Sequence, residues 1–480
     1  MEIRKTVYSI IPVILLAIVG FLLYFKGLSF DFLAYRLDSP NTHRAFLIFG
    51  AIALPLILLL ASDKAFRDEP LHSKILMIGV SSFAVSMNFY IQFIYIFSIV
   101  FTVCIALNLY FERRLCRPTV FHILIFIYFI INLASLLWTS DWVSGIHYLK
   151  KDLSLVYVPL FFCMFSLRRE QLRAILIAVG RWLMFFAFLS VCAWILESRA
   201  LGLPLSESFG LTKHFLGNIV TPFAVVFSWS NFDHPTYISI GLILGISILW
   251  YYVGKKRVAV SELVFGIVIV LFLSVITQSR FMLLAWAVAN TIFVLYSLRK
   301  RKKAMIILIC ISVVSVAALL RLSPNITKSL FLDDVRKMHY SAAFEAIEEN
   351  TWLGTGIGGM TKYINKDNPI YTPPISTFWA GHYHPHNQVI GDLMQTGILG
   401  LLSIVSLIVY SLYTSISQRN ILFFSFVIMY LLLMSIEMPL MVDQGLYYFV
   451  FVISLFTANR TENEDYYKAK ISYNHTIIYR

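Results

Sequence analysis

The densest run of side chains able to do acid–base or metal chemistry is Gly381-His382-Tyr383-His384-Pro385-His386-Asn387, just before an apolar stretch that begins near Gln388. Three histidines at alternate positions share one face of an extended segment and could gather round a metal ion. Against that, Pro385 bends the chain and no run of carboxylates or thiolates accompanies them. A plainer reading makes all three wetted loop residues. A sharper one singles out His386: Asn387 is a good N-cap for the following helix, so His386 stands beside a positive helix end, where neutral imidazole is favoured and can accept a proton. The same helix end helps to hold an anion.

Two arginines follow. Arg280 lies in Thr277-Gln278-Ser279-Arg280, a polar break between two apolar runs. Ionisable residues near membrane depth are usually functional, although an interfacial Arg can also snorkel to lipid phosphates. Arg336 belongs to a segment where Asp333 or Asp334 can cap a helix running to about Asn350. Val335, Met338, Ala342, Ala346 and Ile347 recur there at helical spacing, which leaves Arg336, His339 and Tyr340 on the other face. Lys337 and His339 read either as phosphate contacts or as a solvated helix face. Gly354, Gly356, Gly358 and Gly359 lack a preceding strand and a Gly-Lys-Ser/Thr ending, so they form no P-loop or dinucleotide fingerprint and read as a flexible turn. Tyr371, Phe378, Trp379 and Tyr383 could stack on sugar rings.

What positions these residues is set by composition. The chain has 480 residues, 59% hydrophobic and only 14% charged, with mean hydropathy +0.77; soluble domains carry about 25% charged residues. Apolar runs occur at about 7–25, 45–61, 74–88, 90–110, 120–137, 153–167, 172–196, 236–253, 259–277, 281–298, 304–320, 388–413, 420–436 and 445–458. Runs of this length suit helices crossing a hydrocarbon core of about 30 Å, and the absence of strict alternation excludes a transmembrane β-barrel. The expectation is an all-α polytopic bundle of 12–14 membrane helices over residues 1–458, with 74–110 divided near Asn88 and a cytoplasmic tail at 459–480.

The formal charge of +13 suggests nucleic acid until the charges are located. Lys64 and Arg67, Arg113, Arg114 and Arg117, Arg168 and Arg169, Lys255 to Arg257 and Arg299 to Lys303 fall in short loops on one side, as the positive-inside rule requires. Membrane lipids, not nucleic acid, are the partner implied. The segments 138–152, 197–235 and 321–387 are then outside, the last a loop folded over the outer mouth of the bundle. Cys104, Cys116, Cys163, Cys192 and Cys310 show neither zinc spacing nor a disulfide framework.

An outer-face arginine pair, a histidine at a helix start and a long loop over a bundle resemble the bacterial O-antigen ligase family. The stretch 232–400 carries the likeness. Asp233-His234-Pro235-Thr236-Tyr237 opens a helix, Ser279-Arg280 closes the next, and Asn350-Thr351-Trp352-Leu353-Gly354-Thr355-Gly356 is similar to the family's turn, with Thr351 where Pro is usual. His386-Asn387-Gln388 followed by Gly397-Ile398-Leu399-Gly400 is its most specific part, and Trp138-Thr139-Ser140-Asp141 adds a weaker one. The resemblance implies a GT-C-like glycosyltransferase at the periplasmic face of the inner membrane, inverting, metal-independent and free of cofactors. It would move a glycan from undecaprenyl diphosphate to a lipid A-core or other glycan acceptor in lipopolysaccharide biosynthesis. His386 would be the catalytic base and Arg280 and Arg336 would hold the diphosphate, with His384, Asn387, Tyr340 and Trp379 as secondary contacts. An O-antigen polymerase uses the same donor and stays open. So does a transporter or flippase for lipid-linked glycan, although mid-span charges other than Arg181 are scarce.

Overall fold

The computed structural model describes residues 53–89, 91–112, 118–200, 235–276, 280–298, 334–360, 363 and 384–458. The apolar runs at 7–25 and 304–320, the C-terminal tail, Trp379 and the other loop aromatics lie outside them, as does His382.

In chain order the helices are α1 Ala53–Ser62, α2 Lys64–Arg67, α3 Leu71–Ser86, α4 Ile91–Glu112, α5 Val120–Ser135, α6 Trp142–Asp152, α7 Ser154–Cys163 and α8 Arg169–Ala200. Then come α9 Pro235–Gly254, α10 Val260–Ile276, α11 Arg280–Leu298, α12 Asp334–Glu349, α13 Gln388–Ser417, α14 Ile421–Ile436 and α15 Asp443–Ala458. No strand occurs among the described residues. Ile94–Glu112, Arg169–Leu196, Thr236–Gly254 and Gln388–Ser417 are long and apolar enough to cross a membrane, and shorter apolar helices stand beside them. The architecture is a polytopic membrane helical bundle.

The centre is α15. Every residue from Gln444 to Thr457 is buried, as expected of a helix apolar on all sides. It packs against α5, α7, α9 and α14. Phe83 of α3 anchors this centre, its ring 5.3 Å from Phe101, 6.0 Å from Tyr447 and 5.4 Å from Phe451. Arg181 of α8 makes a bidentate pair with Glu262 of α10, at 2.6 and 2.9 Å. Its charge is thus matched between two helices instead of lining a path across the bundle.

Two expectations change, and one segment between apolar runs proves helical. The run at 153–167 does not cross as a unit: α7 has ten residues, about 15 Å and half a bilayer. Before it, the segment 138–152 contains the amphipathic helix α6, capped by Asp141 through the Ser144 amide at 3.0 Å. The glycine turn at 354–359 is buried and bonded, not flexible.

That turn fits a break in α13. Gly397 has φ 64° and ψ −154°, non-helical values inside the helix, in a region that essentially only glycine tolerates. The break frees backbone groups that the turn satisfies: Thr355 N donates to Met394 O at 2.8 Å, Gly356 N to Gln395 O at 2.9 Å, and Ile398 N to Thr351 O at 3.2 Å. Gly354, Gly356 and Gly358 have positive φ and pack on backbone. The 138–141 element meets this turn, with Thr139 against Gly356 and the Trp138 indole donating to Leu353 O at 2.9 Å. Residues 388–396 therefore form a short arm, held by the turn, at one end of the stretch of α13 that runs through the bundle.

Candidate functional site

His386 stands at the tip of this arm. Its φ is +49°, left-handed and costly for a residue with a Cβ by roughly 1–2 kcal/mol. The neighbours that hold it there are local. Asn387 caps α13, its Oδ1 accepting from Ile390 N at 3.1 Å, and its Nδ2 donates to Ser435 O on α14 at 3.3 Å. His384 Nδ1 accepts the amide hydrogen of His386 at 3.2 Å, and the two rings lie 4.4 Å apart.

The ring has two further partners from distant elements. His386 Nδ1 is 2.9 Å from Glu437 Oε2. Glu437 terminates α14 and its side chain is only 9% exposed, against 27% for His386. His339 of α12 stacks parallel on His386, centroids 5.6 Å apart. His339 is buried at 1% relative exposure, on the same side of α12 as Ala343 and Ala346. This corrects the expected face: His339 looks into the protein, because α12 packs along α13.

Glu437 is the residue that sequence reasoning missed. It is a lone acid at the end of an apolar run, and the expected topology puts that end outside; the signal was a carboxylate on the same face as the histidine.

The remaining sequence candidates divide. Asn387 and His384 are brought to His386. Tyr340 follows His339 in α12 and is half-buried. Arg280 is the first residue of α11 and Arg336 the third of α12. Arg336 is thus three positions, one turn, before the histidine that stacks on His386. Trp379 lies outside the described residues.

Below the arm lies a second polar cluster. The buried Asp392 carboxylate accepts from Tyr128 OH at 2.7 Å and from Gln388 Nε2 at 3.2 Å. Gln388 Oε1 accepts from Leu440 N at 3.0 Å, and Asn132 Nδ2 donates to Asp152 at 2.9 Å. Tyr128, Asn132, Lys151, Asp152, Asp392 and Gln395 line a cavity of about 20 Å³, room for about one water. Tyr148 also borders it; burial pushes its phenol up to about 12, with Asp141 adding to the effect. These bonds fasten the arm to α5 and to the segment after Glu437, so His386 and its carboxylate are fixed from both sides.

An imidazole oriented by an adjoining buried carboxylate can accept a proton from a hydroxyl. Residues 265–405 match the family model described as O-antigen ligase, a span that includes α11, α12, the glycine turn and the arm. No curated protein matches the chain.

Proposed function

We propose, from the premise that the chain belongs to the O-antigen ligase family through residues 265–405, that it joins a glycan to the lipid A-core oligosaccharide. The donor is undecaprenyl diphosphate-linked glycan, and the reaction takes place at the periplasmic face of the bacterial inner membrane. The observation that carries the reading is the His386–Glu437 pair at 2.9 Å.

The Glu437 carboxylate favours the imidazole tautomer with its proton on Nδ1, which leaves Nε2 as acceptor. His386 Nε2 takes the proton of the acceptor hydroxyl, and the oxygen attacks the anomeric carbon from the side opposite the diphosphate. The bond to the diphosphate oxygen breaks as the new glycosidic bond forms, which inverts the configuration. A diphosphate is a good leaving group. Arg280 and Arg336 neutralise its growing charge, so the reaction runs without a metal. The imidazolium at His386 is stabilised by Glu437 until the proton passes to water.

The test is transfer by the full chain reconstituted in lipid, with carrier-linked glycan and a truncated lipid A-core acceptor. His386→Asn keeps a residue that tolerates positive φ, and transfer is expected to fall by about 10²–10⁴, the usual worth of a general base. Arg280→Ala and Arg336→Ala should each lower it as well. Near-normal transfer by His386→Asn overturns the assignment of the base. Lengthened carrier-linked chains in place of core-linked product would identify a polymerase.

A further inference from the structure

His384, His386 and Glu437 each present an atom able to bind a metal, and the three atoms lie within 4.8 Å of one another. In the sequence the histidines lack a carboxylate; the fold brings one from 51 residues downstream. Two imidazoles and a carboxylate form the protein ligand set of an open four-coordinate zinc site. Ligand atoms on a tetrahedral zinc ion stand about 3.3 Å apart. His386 Nδ1 and Glu437 Oε2 are already at 2.9 Å, so the contraction needed falls on His384, whose ring is 4.4 Å from that of His386.

The surroundings suit capture of an ion. Both imidazoles are partly exposed while Glu437 is nearly buried, so an ion can arrive from the outer face and meet a carboxylate that is already desolvated. The cap at Asn387 and the stacked His339 hold the His386 ring in place, which lowers the ordering cost of binding. Imidazole ligands favour zinc-type ions, whereas Mg²⁺ prefers oxygen ligands alone.

We propose that His384, His386 and Glu437 form a Zn²⁺ site at the outer face, and that an ion held there blocks glycan transfer by occupying the groups the base requires. Zinc is then an inhibitor, not a cofactor. The binding half stands independently of the proposed transfer reaction; the blocking half rests on it.

The test titrates Zn²⁺ into the chelator-treated full chain in lipid nanodiscs by calorimetry. One site is expected, weakened about tenfold or more in His384→Asn and in Glu437→Gln, with no heat from Mg²⁺. His72→Asn should leave this affinity unchanged, since the His72–Glu112 pair, 3.2 Å apart, supplies only two ligands. X-ray absorption of the loaded chain should show two imidazoles at the ion. Zn²⁺ should lower the wild-type transfer rate, and His384→Asn should keep a larger fraction of its own zinc-free rate.

Unchanged zinc affinity in His384→Asn and Glu437→Gln, both with wild-type thermal unfolding, would overturn the site. Tight binding that leaves transfer untouched would overturn the block. Transfer abolished by the chelator and restored by Zn²⁺ would make the ion a cofactor, which overturns the block and the metal-independent reaction together while the site itself stands.

Discussion

The middle of the bundle and the arm that ends at His386 are built on opposite rules. Around α15 the packing is apolar and aromatic, with Phe83, Phe101, Phe161 and Tyr447 buried, and any close-packed apolar set of the right volume would serve. The arm, nine residues from Gln388 to the Gly397 break, buries Gln388, Asp392, Gln395 and Thr396, and each polar group needs its own partner. Left-handed backbone follows the same division: His386, Gly354, Gly356, Gly358 and Gly397 all belong to the arm and its turn, while Lys256 and Arg419 sit in loops that follow helices. The glycines take these values without strain, so within the arm and its turn the cost falls on His386.

The most damaging change is therefore expected in the arm, at a residue with no side chain. A Cβ on Gly397 would collide with the carbonyl of Trp352, and its φ and ψ are closed to alanine. Gly397→Ala should cost on the order of 3 kcal/mol or more and should also reduce transfer by the molecules that fold. Thermal unfolding in detergent with a parallel transfer assay checks both; a stable, active variant would remove the turn from its supporting role.

Phe83→Ala sets the corresponding measure for the centre. In soluble cores such a truncation costs about 3–5 kcal/mol, and part of that is transfer from water, which a lipid reference state lessens. About 2–3 kcal/mol is expected by unfolding, with transfer per folded molecule unchanged. A specific loss of rate would show that the centre and the arm are coupled more tightly than their contacts imply.

The difference between the regions also governs what could be read in the sequence. Apolar runs predict α9, α11, α14 and α15 within a few residues, because one face or all faces of each helix meet apolar surroundings. The division near Asn88 appears as the gap between α3 and α4. The helix at 334–349 was legible from its period, but its buried face was misjudged: His339 was assigned by polarity, and packing against α13 outweighed it. The 138–152 segment hid a helix because α6 is amphipathic, with Trp142 and Val143 exposed, and no apolar run marks it. At the site, His386 and Asn387 were legible as a helix start. Glu437 was not, because its meaning depends on a contact across 51 positions that only the pairing of α13 with α14 creates.

Glu437 sharpens the comparison further, since it is a buried charge at the end of α14, facing the tip of the arm, that should matter to rate more than to folding. Glu437→Gln keeps the shape and an acceptor oxygen but removes the negative charge that steadies the imidazolium. Transfer should fall about 10–100-fold, roughly 1.4–2.7 kcal/mol of transition-state stabilisation, in kcat with KM for the acceptor little changed. Glu437→Asp should retain an intermediate rate, because the charge survives at a longer reach. Equal rates for the Gln, Asp and native proteins would reduce Glu437 to a packing residue.

The smallest effect is expected at Asn387, where the two rules meet in one side chain. Its Oδ1 caps α13 and its Nδ2 ties the arm to α14. Removing a cap costs about 1 kcal/mol, and the second bond is exposed and adds little. Asn387→Ala should therefore lower stability by about 1 kcal/mol. Asn387→Asp keeps the capping oxygen and loses only the donor to Ser435, so it should restore most of the stability. If transfer falls in both variants while stability recovers in Asp, the tie to α14 is what aligns His386 with Glu437. If both properties recover together, capping alone accounts for the residue, and the orientation of the imidazole comes from Glu437 and the stacked His339.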